Sequence, residues 1–306
     1  MNAGQVIGTQ ILIMFIILML GVVCNLRGII TKDGTKSLSA VELNIVNPIL
    51  IFMSYQSEYR SELMTGLMWS FILSLVSFAL AITLAMVFVP KKSDYSVVQR
   101  FSVIYSNCGF MGIPLVKNIY GDEGVLYLTA YVTIFNLLVW THGYILMKGE
   151  RDFSSLKKAL FSPSVIATIV GFVFYYTNIR LPEVPARSMQ LISDMNTPLA
   201  MLIAGATVAQ TSIFKAFRSA AMYRVCIGKL IIVPAVTFAA LSVFNAPAMV
   251  KMVVTIAAGC PVATTGTMFA ISMDRFPEKS SEFFAATTVL SGLTLPLVTY
   301  ICDKLV

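Results

Sequence analysis

The run Ser106-Asn107-Cys108-Gly109-Phe110-Met111-Gly112-Ile113-Pro114 lies inside an apolar stretch long enough to cross a bilayer. A helix there should be continuous, yet Pro114 removes a backbone donor and its ring crowds the carbonyl of Phe110. Gly109 and Gly112 loosen the backbone further. An interrupted helix at membrane depth is tolerated only where protein or a water-filled cavity satisfies the freed groups. A second interruption, Ala258-Gly259-Cys260-Pro261-Val262-Ala263-Thr264-Thr265-Gly266-Thr267, lies in the other half of the chain. Any fold for this sequence must bury both.

The chain is 57% hydrophobic and only 12% charged. Soluble domains carry about 25% charged residues, so the lipid bilayer is the solvent here. Counting apolar runs of about 20 residues gives spans near 6–26, 37–56, 63–89, 97–119, 123–147, 162–178, 187–210, 218–244, 248–272 and 281–302. Met1 to Gln5 carries no basic residue, so the first run reads as a retained span rather than a cleaved leader. The net charge of +7 sits mainly in short loops, which is a topology signal and argues against nucleic acid as a partner. Loops after the odd-numbered spans hold most of it, including Arg27, Lys91, Lys92, Lys148, Arg151, Lys157, Lys158, Lys215 and Arg275. The positive-inside rule then places both termini on the extracytoplasmic side of the cell membrane. The five cysteines are scattered and the single His142 cannot build a His-rich metal site, so no metal or cofactor is expected.

The halves echo each other. Asn44, Asn47 and Pro48 in the second span match Asp194, Thr197 and Pro198 in the seventh. The breaks fall in the fourth and ninth spans. A repeat with an odd number of spans inserts with opposite orientation. The expected fold class is therefore all-α integral membrane, with about ten transmembrane helices as two inverted five-helix repeats. The repeats cover residues 1–147 and 162–306, and the cytoplasmic loop 148–161 joins them.

Each break creates half-helices. Their N-termini carry partial positive charge and free N–H groups suited to a carboxylate. Asn107 adds an amide donor, and Thr264, Thr265 and Thr267 add hydroxyls. Pro114 and Pro261 free the carbonyls of Phe110 and Ala257, which can take a cation or water. Cys108, Gly109, Ile113 and Gly266 line the same two runs, and Gly109, Gly112, Pro114, Pro261 and Gly266 are the candidate helix breaks. In the fifth span Tyr131 and Asn136 are candidates to touch a ligand. Lys229, Asp194 and Asn47 are candidates for ion or charge support, since an ionisable group inside a span costs at least ~2.5 kcal/mol. Glu42 and Glu282 read as structural carboxylates at helix starts. H-E-x-x-H, G-x-S-x-G and P-loop signatures are missing, so an enzyme is not expected.

Asn107-Cys108-Gly109-Phe110-Met111-Gly112-Ile113-Pro114-Leu115 resembles the signature of the auxin efflux carrier family. That family contains bacterial malate and malonate permeases and is related to plant auxin exporters. The resemblance extends to Asn47-Pro48, to Asn196-Thr197-Pro198-Leu199-Ala200 with Gly205, to the Pro261 break and to Ser291-Gly292-Leu293-Thr294-Leu295-Pro296. It implies a fold similar to sodium/proton antiporters and bile-acid symporters, with spans four and nine crossing at the midplane. Spans one, two, six and seven would form a scaffold, as a homodimer, and spans three to five and eight to ten a moving domain. It also implies that Asn107 meets a substrate carboxylate and that Pro114 marks the first crossover. The second would fall on Gly266, where plant relatives carry proline, with Pro261 matching an earlier proline.

The sequence thus leads to a secondary transporter of a small organic anion, an auxin-like monocarboxylate or a dicarboxylate, working by alternating access. A proton or sodium ion is the candidate coupling partner. A carboxylate receptor without flux and a cation/proton antiporter of the same fold are the alternatives.

Overall fold

The computed structural model describes residues 3–56, 60–90, 95–149, 161–211 and 219–305. The connecting loop 148–161 lies almost wholly outside these residues, as do Lys91, Lys92, Arg151, Lys157, Lys158 and Lys215 of the charge count. The described residues form helices α1 (Ala3–Leu26), α2 (Lys32–Ser54), α3 (Ser61–Phe88), α4 (Ser96–Ile104) and α5 (Cys108–Lys148). The second half continues with α6 (Pro163–Tyr176), α7 (Glu183–Ala209), α8 (Ala220–Leu241), α9 (Ala248–Gly259), α10 (Thr264–Ser272) and α11 (Pro277–Asp303). Six of them, α2, α3, α5, α7, α8 and α11, are long and apolar enough to cross a membrane. Large apolar side chains such as Leu12, Ile16, Leu75, Ile169 and Leu297 face outward, as a lipid-facing surface requires.

Helix boundaries follow local chemistry. Thr31 caps α2 by accepting a hydrogen bond from the Gly34 N–H at 3.1 Å. That cap starts the helix five residues ahead of the apolar run. Gly121, at φ +66°, turns the chain inside α5 and separates its first part from its second. Proline reshapes three helices without ending them. The turns Glu42–Val46, Cys108–Gly112 and Gly228–Ile232 are wound as π-helix, and each ends two residues before Pro48, Pro114 or Pro234. A proline ring crowds the carbonyl four residues back, and one inserted residue relieves the clash.

Packing is closest between α1 and α7. A Cβ on Gly205 would sit 1.9 Å from the Leu18 carbonyl oxygen, and one on Gly21 would sit 2.4 Å from that of Leu202. Only glycine lets these backbones touch, the usual device of helix association in lipid. α2 packs on α6 and α7, while α3 packs on α4, α5, α8 and α9. Polar ties stitch the interior. Tyr55 and Thr129 hydroxyls meet at 2.6 Å, and Ser70 donates to the Tyr127 carbonyl at 2.6 Å.

Candidate functional site

Two short extended segments cross in the middle of the bundle. Ser106 and Val262 form an antiparallel bridge. The Asn107 N–H donates to the Pro261 carbonyl at 2.7 Å, and the Ala263 N–H donates to the Tyr105 carbonyl at 3.0 Å. The Val262 N–H finds the Thr287 hydroxyl of α11 at 3.1 Å. Each interruption thus satisfies backbone groups that its own helix cannot, which is what membrane depth demands.

The second interruption has a local cause. The residue before a proline is pushed out of the helical region, and Cys260, at ψ 151°, has left it. The first has none: Tyr105, Ser106 and Asn107 contain neither proline nor glycine. It therefore falls before the Gly109–Pro114 run expected to hold it. Gly109 and Gly112 lie in the π-turn and Ile113 and Pro114 in the α-helical turn that follows. Gly266 likewise lies inside α10, where a Cβ would come within 2.7 Å of the Phe101 ring. Its role is close packing of α10 on α4, and the chain crosses at Pro261–Ala263.

Asn107 precedes the first turn of α5, makes no capping bond with its side chain and is 4% exposed. Its Nδ2 is buried without a hydrogen-bond partner. Thr265 Oγ1, in the first turn of α10, is in the same condition. Orphaned polar atoms at this depth are costly, and these two lie beside helix N-termini. Cys108, the first residue of α5, and Cys260, which follows α9, are fully buried beside the crossing, and a Cβ on Gly112 would touch both at 3.4 Å. Tyr131 reaches the crossing, its hydroxyl 3.3 Å from Ser106 Oγ. Lys229 is completely buried and donates to the Ile104 carbonyl at 3.4 Å. Its ammonium therefore faces the negative C-terminal end of α4, where that helix gives way to the crossing.

Other expected residues lie elsewhere or do different work. Asp194 is 54% exposed at the end of the first part of α7, with Lys117 at 3.7 Å. It is a surface ion pair and not a buried ion site. Asn136 is half-buried further along α5 than Tyr131. Asn47 is buried, with its Nδ2 beside Gly109 and its Oδ1 unpartnered. Thr264 is half-buried at the start of α10, and Thr267 meets the Ser280 hydroxyl at 3.4 Å. A small apolar cavity of about 20 Å³ opens between α1, α5, α7 and α11, with Met14, Leu18, Met111, Met201 and Gly292 in its wall. None of the residues expected at the site lines it.

A family described as membrane transport protein matches residues 6–153 and 150–299. This chain belongs to that family. It is the auxin efflux carrier family that the α5 motif resembles. The transport protein is 25% identical over 297 residues to an uncharacterized transporter of Methanothermobacter thermautotrophicus, covering 94% of this chain and 95% of the relative. It is 22% identical over 302 residues to one of Methanocaldococcus jannaschii, covering 91% and 93%. These findings make it a multi-pass membrane transport protein, and they point away from an enzyme.

Several residues at the core of the transport protein escape sequence reasoning. Tyr105 donates to the Leu138 carbonyl at 3.0 Å and meets His142 Nδ1 at 2.8 Å. Thr287 holds the second strand of the crossing. Glu42, read as a carboxylate at a helix start, is 1% exposed near the middle of α2. The Thr31–Asp33 cap pattern is the signal that would have placed it there.

Proposed function

We propose that the protein is a secondary transporter for a small organic anion, with a carboxylate bound at the crossing of the two broken segments. The observation that carries this reading is the buried, unpartnered Nδ2 of Asn107 beside a helix N-terminus at the crossing. Half-helix N-termini at Cys108 and Thr264 add N–H groups and partial positive charge. Lys229 adds a full one nearby. Tyr131, Thr265 and the Cys108–Cys260 pair complete the wall.

In this reading α4 with the first part of α5 is the fourth span, and the second part of α5 is the fifth. α9 with α10 is the ninth. The ten spans form two inverted repeats of five. The glycine-locked α1–α7 pair, with α2 and α6, is the scaffold and the dimerisation surface. The remaining helices move as the transport domain. Asn107 is closed off here, so substrate reaches it only when that domain shifts against the scaffold, which is alternating access. Both termini lie outside the cytoplasm, and the cell membrane is the site of action.

The test is counterflow of radiolabelled mono- and dicarboxylates in proteoliposomes. Saturable exchange that Asn107→Ala lowers by about tenfold or more is expected. Saturable binding without exchange makes the protein a receptor, and exchange indifferent to Asn107 removes the site from the crossing.

A further inference from the structure

Away from the crossing, α2 and α7 meet through one buried polar pair. The Asn196 amide Nδ2 donates to Glu42 Oε1. Both residues are at most 2% exposed, and each lies near the middle of its helix. Each also sits at an irregularity, Glu42 opening the π-turn Glu42–Val46 and Asn196 following the break at Asp194–Met195. Two atoms of the pair have no hydrogen-bond partner: Glu42 Oε2 and Asn196 Oδ1.

Those two orphans are complementary in one way only. A carboxylate oxygen and an amide oxygen are both acceptors, so they cannot satisfy each other. With one proton on Oε2, the acid donates to Asn196 Oδ1 while Oε1 still accepts from Nδ2. The result is a closed ring of two hydrogen bonds between a carboxylic acid and a primary amide. A bare carboxylate would instead leave a buried charge with one donor, a costly arrangement. We infer that Glu42 and Asn196 form a proton-binding site between α2 and α7, separate from the crossing.

Among the described residues, no neighbouring cation takes that role. On α2, Lys36 pairs with Asp33 at 3.1 Å, and both are exposed. On α7, Asp194 is engaged by Lys117 and Gln190, and Arg187 and Glu183 lie further back on the same helix. The titratable groups described on α6 are Tyr175 and Tyr176, and the Tyr175 hydroxyl donates to the Arg60 carbonyl at 3.1 Å. Lys229 is committed to the Ile104 carbonyl. α7 also packs against the π-turn that begins α5, and Asn47, one π-turn beyond Glu42, borders Gly109 in it. Proton binding is therefore placed to bias how α2 and α7 hold the crossing. That coupling to transport rests on the function proposed above, whereas the proton site does not.

Infrared spectroscopy of the purified protein tests the site without any substrate. Wild type minus Glu42→Gln at neutral pH should show the carbonyl stretch of a protonated carboxylic acid. Asn196→Ala should shift that band to the position of an acid without its partner. Glutamine mimics the acid, donating to Oδ1 and accepting from Nδ2, so Glu42→Gln should fold. If it does not, wild type against Asn196→Ala carries the same information. Thermal stability of wild type should fall as pH rises, because deprotonation breaks the ring and strands a charge, and Glu42→Gln should be flat. A missing acid band overturns the proposal. So does stabilisation of wild type, but not Glu42→Gln, by sodium over choline at equal ionic strength. If the band is present but the pH dependence of counterflow is the same in wild type and Glu42→Gln, the site stands and its coupling to transport fails.

Discussion

The Asn107 N–H reaches the Pro261 carbonyl across 2.7 Å, linking residues from opposite halves of the chain. This bond does two things. It satisfies a carbonyl that the end of α9 leaves free, and it fixes the backbone of the residue whose side chain is left unpaired. Asn107 is thus held by its main chain and free to act with its amide.

That division of labour makes Asn107→Ala informative. The backbone bond survives the substitution, so thermal stability in detergent should change little. The lost donor to a carboxylate is worth about 1.5–3 kcal/mol. Apparent affinity in counterflow should fall by about ten- to a hundredfold. Asn107→Asp, nearly the same shape, should lose more, because it sets an anion against an anion.

Pro114 acts one step back from the site. Its missing N–H and its ring impose the π-turn Cys108–Gly112, in which the Ile113 N–H bonds the Cys108 carbonyl five residues back. Pro114→Ala restores an ordinary donor and lets the turn rewind. Dropping one residue from a turn rotates what precedes it by about 100°. The melting temperature should hold or rise, while transport falls by about tenfold or more as Asn107 swings away from the Pro261 strand. Normal transport by this variant would show that the π-turn is incidental.

How much of this was legible follows from where the causes lie. The broken helices, the apolar spans and the importance of Asn107 are local signals of proline, glycine and hydropathy. The break at Tyr105–Asn107 is not, because nothing in those residues opposes a helix; the partner strand at Pro261–Ala263 pulls them out. Gly266 looked like a breaker because a glycine weakens any helix, yet its reason for being small is the Phe101 ring on α4. Glu42 was set too near the helix start because hydropathy hides the polar first turns that Thr31 caps. Asp194 falls inside an apolar span by sequence count, yet its side chain is exposed and reaches Lys117 at the surface. Contacts distant in sequence decide all of these but Glu42, whose place follows from the local Thr31 cap.

The α1–α7 contact gives a stability test free of any assumption about substrate. A methyl group on Gly205 would overlap the Leu18 carbonyl oxygen at 1.9 Å, and backbone cannot step aside as a side chain can. Overpacking of this kind costs about 1–3 kcal/mol. Gly205→Ala should lower the melting temperature by several degrees and, if this pair is the scaffold core, weaken dimers in size-exclusion chromatography. Gly228→Ala is the control: its nearest neighbours lie at 3.5 and 3.8 Å, both on the Val103 side chain, so stability should be unchanged.

Lys229 sets stability against function. Its ammonium is fully buried, and the one bond seen, to the Ile104 carbonyl, is long at 3.4 Å. Desolvating a charge costs several kcal/mol, more than one weak hydrogen bond returns. Methionine has a similar shape and no charge, so Lys229→Met should be more stable than wild type, on the order of 1–3 kcal/mol. The same change removes the positive charge nearest the crossing, and carboxylate affinity should drop by at least about tenfold. Lys229→Gln keeps a donor for Ile104 but loses the charge, so its affinity should match that of Lys229→Met. Thermal unfolding and counterflow on the three proteins separate the two roles. A less stable Lys229→Met with wild-type transport would make the lysine a structural donor to α4 and leave the anion to Asn107 and the helix ends alone.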